Sequence, residues 1–263
     1  QVKCLLLATA MADALHVYDQ PPEGANADWT IPQNWEQFSA DEHAMWDRLF
    51  ARQSEMLPGR AADAFMRGLD VLKLSRPGIP DYQELNARLT AATGWQVVAV
   101  PGLVPDDVFF DHLANRRFPA GNFIRTPDQL DYLQEPDIFH DVFGHVPMLA
   151  DPIFADYMVA YGQGGLRSLG FGALDHLARL YWYTVEFGLI QEPQGLRIYG
   201  AGIVSSYGES IFALDDASRL ALLAHCASGG VNALSEKVDR FGGSGVTAHG
   251  LRRRLDQADR LAR

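Results

Sequence analysis

One carboxylate within an almost wholly apolar stretch places the strongest constraint on how this chain folds. The segment ARLYWYTVEFGLI (178–190) predicts a buried helix, and Glu186 lies near its middle. The residues one helical turn away are all non-cationic: Trp182, Tyr183, Leu189 and Ile190. Burying an unpaired carboxylate costs several kcal/mol. Glu186 is therefore protonated and bonded to a tyrosine, open to solvent at a cleft, or compensated by a bound cation.

A second segment, EPDIFHDVFGHVP (135–147), carries two histidines five residues apart. Pro136 suits the first turn of a helix and Pro147 ends it, which predicts a helix over 136–146. Five residues correspond to roughly 140° of rotation on an α-helix, so His140 and His145 diverge unless Gly144 loosens the last turn. The alternative is two ordinary histidines, with Asp141 and His145 as an i,i+4 pair.

Together, the two segments supply a possible ligand set for a metal ion. Two imidazoles and one carboxylate hold mononuclear non-haem Fe(II) and leave coordination positions open for oxygen. Zinc in a hydrolytic site accepts the same ligands. The residue types alone therefore leave both metals open.

Most of the remaining sequence has the apolar spacing of helices. The capping pattern SADE predicts a helix that begins near Ser39 and stops at Pro58-Gly59. Further helices are predicted around Phe65–Leu72, from Tyr82 to Gly94, and at 106–115, 151–161 and 173–190, with extended segments at 95–100, 121–125 and 196–203. The strands are too few and too scattered for a doubly wound sheet. The predicted fold class is mainly α: a single helical domain with a small β-sheet or hairpin.

Charge and cysteine content exclude several classes of partner. The chain has 33 acidic and 22 basic residues, a formal net charge of −11, which disfavours binding to nucleic acid or to an anionic membrane. Its two cysteines, Cys4 and Cys226, form neither a zinc signature nor a disulfide framework, so a cytoplasmic location is expected. The apolar run near the start is too short to span a bilayer.

Three segments in the same order resemble the pterin-dependent aromatic amino acid hydroxylases: LDYLQEPDIFHDVFGHVP, LYWYTVEFGLI and RIYGAGIVSSYGES. The segment at 91–119 matches this family closely as well, and the likeness is greatest to the short bacterial phenylalanine 4-hydroxylases. The resemblance runs from about Trp35 to Asp216. It implies an extended N-terminal lead-in at 1–34, a catalytic domain at 35–216 and a C-terminal segment at 217–263 that departs from the family pattern.

The resemblance also implies roles for individual residues. His140, His145 and Glu186 would be the catalytic metal ligands. The substrate-binding residues would be Arg125, Trp182 and Ser205, and the cofactor-binding residues Gly102, Leu103, Phe109, Tyr181 and Asp141. Arg125 would pair with the substrate carboxylate, Ser205 would orient a ligating imidazole, and Phe109 would stack on the pterin ring.

The activity that the resemblance implies is conversion of L-phenylalanine to L-tyrosine with O2 at Fe(II). Tetrahydrobiopterin or a related tetrahydropterin would be the second cofactor, and the chain would act as a monomer. Three alternatives stay open: tryptophan hydroxylation by the same chemistry, a zinc hydrolase with the same ligands, and a non-catalytic iron-binding helical protein.

Overall fold

The computed structural model describes residues 20–130 and 135–215, and most of these residues are helical. The α-helices are α1 (Ala40–Met56), α2 (Asp63–Leu72), α3 (Tyr82–Thr93), α4 (Asp106–Ala114), α5 (Val146–Leu149), α6 (Pro152–Leu169), α7 (Leu174–Tyr181), α8 (Ala201–Val204) and α9 (Tyr207–Asp215). Two π-helices, Phe139–His145 and Trp182–Glu186, and two 3-10 turns, Trp35–Gln37 and Pro127–Gln129, complete the helical elements of this part of the chain. The predicted mainly α class is confirmed.

Four short strands form two small sheets in the described residues: β1 (Gln96–Val100), β2 (Arg117–Gly121), β3 (Leu189–Glu192) and β4 (Gly195–Ile198). The candidate site lies in a compact unit that spans Tyr18–Ile211. Of the chain's other unit, 1–17 and 212–263, only residues 212–215 are described. Residues 1–19 of the predicted lead-in and the predicted segment at 217–263 lie outside the described residues, and the domain limits stay predictions.

Helix α1 begins and ends where the capping signals predict. The Ser39 hydroxyl accepts a hydrogen bond from the Glu42 amide at 3.3 Å, and the Glu42 carboxylate accepts one from the Ser39 amide at 2.7 Å. This reciprocal pair satisfies two amide groups that a helix start otherwise leaves unbonded. Helix α3 likewise ends at Gly94, whose φ of +77° is favourable for glycine.

Strand β2 corrects the predicted extended segment at 121–125. It pairs in parallel with β1, from Gln96 opposite Arg117 to Val100 opposite Gly121, and α4 makes the crossover between them. The strand was missed because Pro119 lies at its centre, and proline removes a hydrogen-bond donor. A strand with a partner on one side only tolerates this loss.

Two further predicted boundaries were wrong. The helix predicted over 173–190 ends at Glu186, because the chain then turns into β3 of an antiparallel hairpin with β4. The extended segment predicted over 196–203 ends at Ile198, and residues 201–204 are helical. A side chain at Gly188 would lie 2.2 Å from the Tyr199 ring, so the glycine permits the tight turn that brings the two segments together.

Glycines on α6 allow helix α4 to pack very closely against it. A Cβ atom at Gly162 would lie 2.4 Å from the Ala114 backbone nitrogen, and one at Gly165 would lie 2.0 Å from the Phe110 ring. The two helices therefore approach each other almost backbone to side chain. None of the described helices combines the length and the apolar character needed to cross a bilayer.

An aromatic core holds the first π-helix, which supplies both histidines. The Phe139 and Phe143 rings stack with centroids 4.7 Å apart. Trp46 of α1 packs against Phe139 at 5.1 Å, and Phe65 of α2 packs against Phe143 at 5.8 Å. These rings fix one face of the π-helix in the interior, so the positions of its other side chains are also fixed.

Candidate metal centre

The π-helical turn brings the two histidines together, which a regular α-helix of the same sequence would not do. Hydrogen bonds in a π-helix join residues five apart, so such residues lie nearly above one another. His140 and His145 have this spacing, and their ring centroids are 5.1 Å apart. The backbone amide of His140 donates to the Asp137 carboxylate at 3.0 Å, which anchors the start of the turn.

Glu186, at the end of the second π-helix, faces both imidazoles. Its Oε1 atom lies 3.4 Å from His140 Nε2, and its Oε2 atom lies 3.3 Å from His145 Nε2. One potential ligand atom from each of these three residues lies within 4.8 Å of the others. In the described part of the chain no lysine or arginine pairs with Glu186, so the arrangement suits a bound cation.

The alternatives for Glu186 and Asp141 fit the geometry less well. Glu186 is 8% exposed and therefore does not open into solvent. The hydroxyl of Tyr181 lies 3.4 Å from His145 Nδ1, so it is placed toward the histidine. Asp141 accepts a hydrogen bond from the Gly121 amide at 2.8 Å, and it is not one of the three residues whose ligand atoms converge.

Burial controls the charge state of these groups. Burial lowers the pKa of His140 and favours the neutral imidazole that can bind a metal. Burial opposes the charge of Glu186, but His140 and His145 hold the pKa of this carboxyl below its usual value. Burial also raises the pKa of Asp141 well above its usual value, which favours the neutral acid. Glu186 is thus the anionic member of the cluster.

Ser205 fixes the orientation of the His140 ring. Its hydroxyl donates to the Ala201 carbonyl at 2.7 Å, so its oxygen accepts the hydrogen of His140 Nδ1 at 3.0 Å. This leaves the lone pair of His140 Nε2 directed toward Glu186. A hydrogen bond to the second ring nitrogen is the usual way in which proteins orient a ligating histidine. Contact between Ser205 and the imidazole, as predicted, is present.

The sequence matches the family described as biopterin-dependent aromatic amino acid hydroxylase over residues 29–229. This match covers most of the chain and includes all three candidate ligands. The chain belongs to this hydroxylase family.

Bacterial relatives of known name share much of the sequence. The phenylalanine-4-hydroxylase of Caulobacter vibrioides is 72% identical over 198 residues, which are 75% of this chain and 67% of the relative. The enzyme of the same name from Ralstonia nicotianae is 65% identical over 73% of this chain and 61% of its own length. The chain thus spans between about three fifths and two thirds of the length of these relatives.

Solved hydroxylase structures from Chromobacterium violaceum have the same fold. One, with bound iron(III) and 7,8-dihydrobiopterin, matches with a TM-score of 0.72 at 57% identity and covers 79% of this chain and 75% of that one. Another, with bound iron and phenylalanine, matches with a TM-score of 0.70 at 54% identity and covers 79% and 74% of the two chains. These relatives bind an iron, a pterin and an amino acid.

The substrate-binding residues predicted from the hydroxylase resemblance do not all lie together. Arg125 and Ser205 line one cavity, and the buried Arg125 guanidinium forms a two-point ion pair with Asp137, both distances being 2.8 Å. Trp182 does not line that cavity; it begins the second π-helix and packs on Phe187, with ring centroids 4.8 Å apart. The binding roles of all three stay predictions.

The residues predicted to bind pterin form a partly continuous surface on the hydroxylase fold. Phe109 packs edge-on against Tyr181 at 5.6 Å, and Tyr181 in turn lies beside His145. Gly102 faces open space, since a Cβ atom added there would meet nothing within 4 Å. Leu103 follows Gly102 and is half-buried. Asp141 lies on the first π-helix, bonded to Gly121. The structure therefore joins Phe109 and Tyr181 to the metal cluster.

Sequence reasoning missed Asp137 as a supporting residue of this hydroxylase site. Its carboxylate accepts hydrogen bonds from Arg125 and from the His140 amide, and so links a candidate substrate residue to the metal-binding turn. Burial opposes ionisation of Asp137, but the Arg125 hydrogen bonds and charge outweigh it and lower the pKa of this carboxyl. Its position three residues before His140 is a helix-start signal that could have identified it.

Proposed function

We propose that this chain carries the catalytic centre of a phenylalanine 4-monooxygenase, which converts L-phenylalanine to L-tyrosine with O2 and a tetrahydropterin. The observation that carries the proposal is the convergence of His140, His145 and Glu186 in a buried cluster. The names of the relatives, which are 72% and 65% identical, support the choice of substrate. The two-histidine, one-carboxylate set is the one used by non-haem iron oxygenases.

The residues present are suited to hold iron and to position the reactants. Bound iron and tetrahydropterin would together supply the electrons that activate dioxygen. His140, His145 and Glu186 would hold the metal, and Ser205 would keep the Nδ1 hydrogen of His140 away from it. Phe118 and Tyr181 flank the His145 ring, with centroids 4.9 Å and 5.9 Å away, and exclude water from that side of the cluster.

We also propose that the substrate and pterin residues follow the family pattern. Arg125 would bind the amino acid carboxylate, with Trp182 and Ser205 beside the substrate. Gly102, Leu103, Phe109, Tyr181 and Asp141 would form the pterin side. The contacts from Phe109 through Tyr181 to His145 support this placement, because they put an aromatic surface next to the metal ligands. We further propose a cytoplasmic monomer, which light scattering of the purified protein would test.

One assay tests the proposed activity. Protein reconstituted with Fe(II) and supplied with tetrahydropterin, O2 and L-phenylalanine is expected to form tyrosine, whereas zinc-loaded protein is not, because zinc has no accessible redox change. Glu186→Ala is the negative control. Faster conversion of L-tryptophan would reassign the substrate, and hydrolytic activity of the zinc form would favour the hydrolase. An iron-loaded protein that consumes neither pterin nor oxygen would contradict the proposal.

A further inference from the structure

A cavity with two arginines and no acidic side chain among its described lining residues lies next to the metal cluster. Its volume is about 350 Å³, within the range of small-molecule sites. It is lined by Leu49, Arg52, Gln53, Arg125, Leu130, Ser205, Ser206, Tyr207 and Gly208. It reaches the metal cluster through Ser205, whose hydroxyl oxygen is 3.0 Å from His140 Nδ1. Such a lining suits a small anionic ligand.

The charge of Arg125 is already balanced within the protein. Its Nε and Nη2 atoms each lie 2.8 Å from a carboxylate oxygen of Asp137, and neither side chain is more than 8% exposed. The pKa of Asp137 is held below its usual value, so the pair is ionised on both sides and nearly neutral overall. At a distance the two charges largely cancel, and the pair alone attracts a carboxylate only weakly.

Arg52 supplies a second positive charge to the same cavity. Leu49, Arg52 and Gln53 lie on one face of α1, as their helical spacing requires. The Arg52 guanidinium stacks over the ring of Tyr207, 4.8 Å from its centroid. Stacking uses the face of a guanidinium, whereas hydrogen bonds to a carboxylate use its edge, so one side chain can make both contacts. Tyr207 thus holds Arg52 in a defined orientation at the cavity.

We propose that Arg52 is a substrate-binding residue that, together with Arg125, binds the α-carboxylate of the amino acid. Arg125 provides a fixed hydrogen-bonding group, and Arg52 provides the net positive charge that Asp137 removes from Arg125. This inference rests on the proposed function, since it assigns the carboxylate end of the same substrate. It predicts that Arg52 recognises the carboxylate itself and contributes little to binding of the rest of the molecule.

Anaerobic calorimetry on the Fe(II)-loaded protein tests this inference without turnover. The two ligands are L-phenylalanine and phenethylamine, which lacks only the carboxylate. Arg52→Gln is expected to raise the Kd for L-phenylalanine about 10-fold or more, and to change that for phenethylamine less than about twofold. Arg52→Met keeps an apolar stem over Tyr207 and should act in the same way. Arg48→Gln, an exposed arginine one turn earlier on α1, is the control and should bind both ligands normally.

The possible outcomes separate this inference from the proposed function. If wild type forms tyrosine but Arg52→Gln binds L-phenylalanine normally, the role of Arg52 is wrong and the activity stands. If binding of L-phenylalanine depends on Arg52 but no tyrosine forms, the inference stands and the activity is wrong. Equal losses for both ligands would mean that Arg52 acts by packing, and would overturn the inference. So would a wild-type protein that does not bind L-phenylalanine.

Discussion

Glu186 is buried against two imidazoles, of which His140 has its pKa lowered by burial. A carboxylate in such a place loses its hydration, and neutral imidazoles return only part of that energy. A divalent cation would restore the balance and would also bind the lone pair of His140 Nε2, which the contact with Ser205 leaves exposed to the cluster. At the scale of single residues, the cluster is therefore built to be completed by a metal.

The metal content of single-residue variants tests this interpretation. His145→Ala and Glu186→Ala are expected to lower the iron bound per chain about 10-fold or more after reconstitution, because each removes a ligand. His176→Ala, which changes an exposed histidine on α7, serves as the matched control and should retain iron. Iron would be measured by plasma emission after gel filtration. Wild-type iron content in both ligand variants would contradict the assignment.

The polarity of single residues identified the ligands, but it did not reveal their supports. A carboxylate in an apolar helix is visible in any sequence, because its burial needs compensation. Asp137 was not visible in this way, since it occurs among other acidic and proline residues that also suit a helix start. Its pairing with Arg125, 12 residues earlier, depends on how the intervening chain folds.

At the scale of elements, the π-helix explains a failure of the sequence-based prediction. An α-helical period turns His140 and His145 apart, whereas the observed turn brings them to 5.1 Å. The wide turn is held by tertiary contacts: Phe139 and Phe143 pack in the core, and a Cβ atom at Gly144 would lie 3.1 Å from Ala201. Local propensity contains no such information. By contrast, α1 was predicted correctly because its cap is formed by residues three apart.

Close packing of α8 on Glu186 gives a test at this scale. A Cβ atom at Gly202 would lie 2.5 Å from Glu186 Oε1, so Gly202→Ala should displace the carboxylate although no ligand is changed. We expect iron content to fall by about 10-fold with the circular dichroism of the helices preserved. Gly164→Ala on α6 is the control, since its Cβ atom would make an ordinary 3.7 Å contact with Leu177. Normal iron binding by Gly202→Ala would show that α8 can move away without disturbing the site.

At the scale of the whole molecule, His112 links the N-terminal lead-in to α4. Its Nε2 atom lies 2.8 Å from the Asp28 carbonyl oxygen, and the side chain is fully buried. Burial lowers the pKa of His112 and nearby Arg117 lowers it further, while the hydrogen bond to Asp28 and the charges of Asp28 and Asp111 raise it; burial prevails. The folded protein therefore keeps this imidazole neutral at a pH at which the unfolded chain binds a proton.

This difference predicts a loss of stability in weak acid. The free energy of unfolding should fall as pH drops below about 6.5, the ordinary pKa of histidine, and continue to fall toward the lower pKa of the folded state. Urea unfolding of wild type and His112→Gln at about pH 7.5, 6.5 and 5.5 would measure the effect. The variant should show a smaller decline, and His176→Gln should decline like wild type. Parallel curves for wild type and His112→Gln would exclude His112 as the cause.

The class of the whole fold could be predicted from helical periodicity and from the small number of strands. Its connections could not. Strand β2 contains Pro119 and lies at the edge of its sheet, and it becomes a strand only through pairing with β1 across α4. The hairpin of β3 and β4 ended the predicted helix early for the same reason, since long-range pairing outweighed local preference.

The wide turn between His140 and His145 also sets a condition for transplanting such a centre into an engineered scaffold. Copying the two histidines and the four residues between them onto a straight α-helix would point the imidazoles roughly 140° apart. A designer would need either histidines four residues apart, which share a face, or the π-turn itself with the aromatic residues that hold it. For this type of centre, the transferable part is therefore a piece of backbone with its packing, and the ligand motif alone is insufficient.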